Sequence, residues 1–148
     1  MRKKDYCFCA FVLFYFSSFV NAWEIKIDDS QNEMAIQSSI NNSMDSVIYE
    51  HNPPTIYYVR YVSLGCTDIV GDIRVHDVNG IPVNFLVSCR NYKLKTLSPK
   101  STEGSNLLIS EFKNKSVVTI SDSSFSTVGF DNIVIRLIDR LKRKERAL

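Results

Sequence analysis

Asn79-Gly80 sits between two runs that alternate apolar and polar residues, Ile69 to Val78 and Ile81 to Arg90. That dipeptide is the strongest short signal for a β-hairpin, because both residues tolerate the left-handed backbone of a tight turn. Register decides what the hairpin can bury, since a one-residue slip sends every side chain to the opposite face. A two-residue loop sets Arg74 against Phe85 and His76 against Val83, mixing charged and apolar side chains. A three-residue loop, Val78-Asn79-Gly80, sets Ile73 against Phe85, Val75 against Val83 and Ile69 against Cys89. The apolar sets then coincide, which predicts the longer loop, a bulge, and Gly80 in the left-handed region. Cys89 falls on the core face in that register. Arg74, His76, Asn84, Leu86 and Ser88 take the other face.

The cysteine reading depends on the first 22 residues. Arg2, Lys3 and Lys4 precede the apolar run YCFCAFVLFYFSSFV, and Val20-Asn21-Ala22 places short residues at a cleavage site. This is the pattern of a secretory signal, and the run is shorter than the roughly 20 apolar residues that span a bilayer. Cleavage after Ala22 is expected, with an uncleaved anchor as the alternative. Export to the periplasm or outside the cell follows. Cys7 and Cys9 leave with the signal, so Cys66 and Cys89 remain as one pair in an oxidising compartment. A disulfide between them stabilises by about 3 kcal/mol in the chain-entropy model. No C-x-x-C or neighbouring His/Cys cluster argues for redox or metal chemistry instead.

Removing the signal also removes three basic residues and one acid. The 18 Lys+Arg and 16 Asp+Glu of the 148-residue chain become 15 of each. The basic balance of the full chain therefore belongs to the signal, and a global attraction to nucleic acid loses its support.

Trp23 to Ile27 alternates as a short strand does. Ser30 and Glu33 have capping-box spacing, and Ile36, Ile40, Met44, Val47 and Ile48 follow on one helical face. This predicts a helix that Pro53-Pro54 must end. Thr55 to Leu64 is β-branched and aromatic, a strand apolar on both faces except at Arg60. Residues 96–106 read as an exposed loop. Leu107–Phe112 and Ser116–Ile120 read as a second hairpin. Phe130, Ile133, Val134, Leu137, Ile138 and Leu141 keep helical spacing throughout, with Ser126 or Thr127 as cap and a basic end that complements the helix dipole. The expected fold class is α+β. It is a single domain over residues 23–148, mainly an antiparallel sheet of about five to six strands with one helix in its N-terminal half and one amphipathic helix at its C-terminus.

Few residues here point to chemistry. Asp72 and His76 share a strand face and could begin a general-base pair or metal site of a small hydrolase. No third ligand has recognisable spacing, and nothing resembles H-E-x-x-H. His51 follows a predicted helix end, where histidine commonly meets the last carbonyls. No serine lies in G-x-S-x-G, and the five glycines form no phosphate loop. No catalytic residue, metal or cofactor is therefore assigned. Tyr57, Tyr58, Arg60 and Tyr61 are of the types that anchor interfaces and stack on sugars, although a core strand explains them too. The basic end, with Arg140, Lys142, Arg143 and Lys144, could meet an anionic membrane surface, an acidic partner or the protein's own acidic body. Nucleic acid is not expected. Asn41-Asn42-Ser43 and Asn114-Lys115-Ser116 fit the N-glycosylation pattern.

Export, small size, one disulfide and no catalytic constellation together lead to a non-enzymatic protein that binds another protein, such as an accessory, inhibitor or immunity-type factor. The alternatives are the Asp72/His76 enzyme and a membrane-surface or carbohydrate-binding module.

Overall fold

The described residues fold into one nine-stranded antiparallel sheet with two helices. The computed structural model describes residues 23–67 and 70–147, with Arg90 and Asn91 described by backbone alone. The expected signal segment and Ile69 fall outside those residues. Four strands come first: β1 (Glu24–Ile27), β2 (Glu33–Ser38), β3 (Asp45–His51) and β4 (Pro54–Tyr61). The chain then crosses to β5 (Ile73–Val78) and returns through β6 (Ile81–Asn91) and β7 (Leu94–Pro99), which lies beside β4. Helix α1 (Thr102–Asn114) leads to the hairpin β8 (Val117–Ile120) and β9 (Ser123–Ser126), and helix α2 (Phe130–Arg146) ends the fold. The spatial order is β1-β2-β3-β4-β7-β6-β5-β8-β9.

The expected strand number and helix placement are corrected by these nine strands. The predicted helix behind Ser30 is absent. Its residues form β2 and β3, and the spacing that suggested a helical face arises because Ile36 and Ile48 pair directly across the two strands. Ser30 does not cap a helix. Asp28 instead gathers the turn, accepting from the backbone N–H of Ser30 and Asn32 through Oδ1. Glu33, the other half of the expected capping box, faces Arg140 of α2. Likewise, residues 96–106 are not a loop, and Leu107–Phe112 is not a strand. They form β7 and α1, which Ser101 caps by accepting from the Gly104 N–H at 3.1 Å. The helix of the sheet's first half thus gives way to one between β7 and β8, while the C-terminal helix stands. Gly129, with φ of 82°, precedes α2 and no side chain caps it, so neither Ser126 nor Thr127 does.

The central hairpin forms, but in the other register. Arg74 pairs with Phe85, His76 with Val83 and Val78 with Ile81, around a two-residue Asn79-Gly80 turn with φ of 49° and 81°. The premise that every apolar residue of β5 faces the core is what fails. Ile73 and Val75 are exposed, while His76 turns inward with Val78.

Both helices pack on one face of the sheet, α1 over β4, β7 and β8 and α2 over β1, β2 and β3. Leu108 and Phe112 of α1 and Phe130, Ile133 and Leu137 of α2 meet Ala35, Val47, Ile56, Phe85, Val87 and Leu97 there. The ring of Trp23 closes one side of this core, 5.7 Å from Phe112 and 5.1 Å from Phe130 between centroids. Full burial of such side chains is the main stabilising contribution, at about 1.5–3 kcal/mol for each large apolar group. The opposite face carries a smaller cluster of Met34, Ile48 and Val59, flanked by Ile36, Tyr57 and Leu94.

β8 joins β5 through the single pair Val78–Ile120, reinforced by the Asn79 side chain, whose Oδ1 accepts from Thr119 N–H at 2.8 Å. On its far side β9 meets the segment after β2. Ile40 N–H donates to Ser124 O at 2.8 Å, and Ser124 N–H donates to Asn41 Oδ1 at 2.8 Å. The two ends of the sheet are thereby drawn together.

Candidate functional site

β3 and β4 pair so that Asp45 lies opposite Arg60, and both point to the helix-covered face. Asp45 is fully buried, which for a lone carboxylate is costly. Here it is surrounded by donors. Arg60 Nε donates to Oδ1 and Arg60 NH2 to Oδ2, each at 2.8 Å. The Tyr58 hydroxyl donates at 2.5 Å, Asn42 Nδ2 at 3.1 Å, and the Ser123 hydroxyl donates as well. Burial pushes the Asp45 carboxyl upward, but the hydrogen bonds from Arg60, Ser123 and Tyr58 outweigh it and hold the group below its ordinary value. Burial and the bond to Asp45 push the Tyr58 phenol up to about 12. Arg60 also reaches Asp122 in the β8–β9 turn at 3.1 Å. One ionic network therefore fastens the last hairpin to the first half of the sheet.

His76 borders this network without joining Asp72. Its Nδ1 is hydrogen-bonded to Ser121 Oγ at 2.5 Å, and its ring lies 6.1 Å from Tyr58 and 5.7 Å from Phe85. Asp72 pairs with Arg74 at 3.1 Å instead. Burial, then the charges of Lys95, Arg60 and Arg74, lower the His76 pKa. The Asp72/His76 combination is thus not assembled. Ser121, at φ of 56°, is a strained turn residue that sequence reading passed over. His51 bonds the Tyr49 hydroxyl at 2.9 Å at the β3–β4 turn rather than a helix end. Among the described residues no group of three or more His, Cys, Asp or Glu could hold a metal ion.

The four basic residues of α2 singled out by sequence divide. Arg140 donates to Glu33 through Nε at 2.7 Å and NH2 at 3.3 Å, and Lys144 Nζ donates to Gln31 O at 2.8 Å. The Arg140 bond holds the Glu33 carboxyl below its ordinary value. Lys142 and Arg143 are exposed. Two of the four cations therefore turn to the protein's own β1–β2 turn. Both sequon asparagines also use their amide: Asn41 Nδ2 donates to Asp122 O and Asn114 Nδ2 to Ser110 O.

At the end of the sheet where β4 stops and β5 starts, Cys66 and Cys89 form a disulfide with Cα atoms 5.9 Å apart. It pins the β4–β5 connection onto β6. Tyr92, in the β6–β7 turn, completes the clasp. Cys66 N–H donates to Tyr92 O at 2.6 Å, and the Tyr92 hydroxyl donates to Leu64 O at 3.2 Å. Gly65 lets the ring approach, since a Cβ there would stand 2.3 Å from Tyr92 Cζ. The clasp displays apolar side chains outward. Leu64 is 88% exposed and Tyr92 69%, and Val70, at 70%, precedes Gly71, whose N–H donates to Val87 O two residues before Cys89 on β6. Scattered exposed apolar residues are ordinary, whereas apolar side chains grouped on one surface are of the kind that marks interaction sites. Sequence reading found Tyr61 and the disulfide but not Leu64, Val70 or Tyr92; the only signal was the glycine beside Cys66.

The tyrosines of β4 have three different settings. Tyr58 is buried in the ionic network, Tyr61 lies at the exposed end with Lys93 6.0 Å from its ring centre, and Tyr57 lines a cavity on the face away from the helices. Comparison with known proteins assigns no relative: no protein-family model, curated protein or solved structure matches this chain.

Proposed function

We propose that the protein is an exported, non-enzymatic binding protein, cleaved after Ala22, that docks another protein on the apolar surface at its disulfide end. The observation that carries this reading is the outward display of Leu64, Val70 and Tyr92 around the Cys66–Cys89 bond. Apolar side chains in water cost free energy at about 25 cal/mol per Å², so a partner that covers them gains it. The disulfide and the Gly65–Tyr92 contact fix the surface before binding, which lowers the ordering cost of association. A disulfide is also compatible with an oxidising compartment.

The test is site-directed photo-crosslinking in the native host. A crosslinker at Leu64 captures a discrete partner, and one at Ile135 on α2 does not. Leu64→Lys abolishes co-purification while leaving the fold intact. Retention of the partner by Leu64→Lys would refute the assignment of the surface.

A further inference from the structure

β5 is held unequally by its two neighbours. It pairs with β6 along its whole length, from Ile73–Leu86 to Val78–Ile81, whereas β8 meets it at Val78–Ile120 alone. The seam between β5 and β8 has two ends. At one, Asn79 N–H donates to Thr119 O at 2.9 Å and Thr119 N–H to Asn79 Oδ1 at 2.8 Å. At the other, Ser121 N–H donates to Asp77 O at 2.9 Å, and Ser121 Oγ is hydrogen-bonded to His76 Nδ1 at 2.5 Å.

The Ser121 end is closed by a group that can gain a proton. His76 Nε2 is buried and has no hydrogen-bond partner. A neutral ring with its proton on Nδ1 gives that proton to Ser121 Oγ and leaves no unpaired N–H inside. Imidazolium donates from both nitrogens, so its Nε2–H is buried without an acceptor.

The surroundings oppose the charge as well. β6 brings Phe85 and Val83 to the ring, and β4 brings Tyr58, whose phenol is pushed up to about 12 and stays neutral. Burial first, then Lys95 of β7, Arg60 of β4 and Arg74 of β5, hold His76 below its ordinary 6.5. Asp122 of the β8–β9 turn acts the other way, more weakly than any of these. Asp45 and Asp72 pair with Arg60 and Arg74, and Asp77 is exposed.

We propose that protonation of His76 opens the β5–β8 seam at its Ser121 end, so that this contact is an acid-sensitive joint. Water at the opened end accepts from Nε2–H. The Asn79–Thr119 end stays closed, as does the far side of the hairpin, where Asp45 holds Ser123 and Asn41 holds Asp122 and Ser124. The joint is separate from the protein-docking surface at the disulfide end and does not depend on it.

The test is amide hydrogen exchange followed by NMR on the full chain, purified from an oxidising host, between about pH 8 and about pH 5, where histidine titrates. The expected result is that the Ser121 amide loses its protection as the His76 ring signals titrate, and ends within about tenfold of the rate of an unfolded chain. The Thr119 amide and those of β2 and β3 remain slow. His76→Gln keeps Ser121 protected over the whole range. The coincidence of the Ser121 and ring midpoints reads the joint in the unaltered chain, should that variant not fold. A Ser121 amide still protected after the ring has titrated overturns the proposal, as does a ring that stays neutral down to about pH 5. So does an equal loss in His76→Gln, or a loss of all protection in β2 and β3 together with Ser121.

Discussion

Arg60 stands directly across from Asp45 on the neighbouring strand and meets its carboxylate with two parallel bonds of 2.8 Å. This planar pairing is the strongest geometry available to the two groups. It is buried on the carboxylate side and half-open on the arginine side. Removing the acid leaves Arg60, Tyr58 and Ser123 without their shared acceptor. Asp45→Ala is expected to destabilise by about 3–5 kcal/mol, as breaking a buried pair does. Tyr58→Phe removes a single donor and costs about 1 kcal/mol. Urea unfolding of the variants measures both.

Acid should weaken the fold in two separate windows. The folded His76 lies below its ordinary value of 6.5, so the unfolded chain takes up the proton first as pH falls. Its contribution is complete above pH 6.5 and is lost as pH drops through the lowered value. Asp45 is also depressed, so its contribution is complete above its ordinary 3.8 and is lost at lower pH still. Urea midpoints followed downward from neutral pH should show the two declines. His76→Gln should flatten the upper one and leave the lower in place.

Only part of this architecture could be read from sequence. Helix α2 was legible because its apolar residues keep a 3.6-residue period over about three turns, and Phe130, Ile133 and Leu137 are buried as that period requires. The central hairpin was legible from Asn79-Gly80. Its register was not, because the apolar match assumed that Val75 faces inward and His76 outward. In the fold His76 turns inward, where Ser121 Oγ hydrogen-bonds its Nδ1 and the rings of Tyr58 and Phe85 pack against it. Asp45 itself was hidden within the expected N-terminal helix, so Arg60 stood out as an exception with no visible partner. Ile36 and Ile48 satisfy a helical spacing and a cross-strand pair equally well, and the pattern alone cannot choose. The Ser101 cap and the Leu108–Phe112 pair of α1 were present but obscured by the continuous run Leu107-Leu108-Ile109.

Trp23 is the chain's single tryptophan and lies within the aromatic group of the core. Its emission should be that of a shielded indole and should shift to the red on unfolding. Trp23→Ala is expected to cost about 3–5 kcal/mol. Under the proposed cleavage after Ala22, N-terminal sequencing of the exported protein begins at this same residue.

Gly65 occupies φ of +93°, and a methyl group there collides with the Tyr92 ring. Gly65→Ala should therefore destabilise by at least about 1–2 kcal/mol from the backbone alone. It should also loosen the clasp, so that partner binding falls further than global stability does. Parallel calorimetric melting and co-purification of this variant separate the two effects.

The central claim is that an exported, disulfide-bonded chain holds a protein partner on the surface around Leu64 and Tyr92. Native mass spectrometry of the protein carrying a C-terminal tag, isolated from its own host, tests it most directly. The account predicts a species beginning at Trp23, two hydrogens lighter than the reduced chain, bound stoichiometrically to a partner that Leu64→Lys releases. A clean monomer that is the same with and without Leu64→Lys would contradict it.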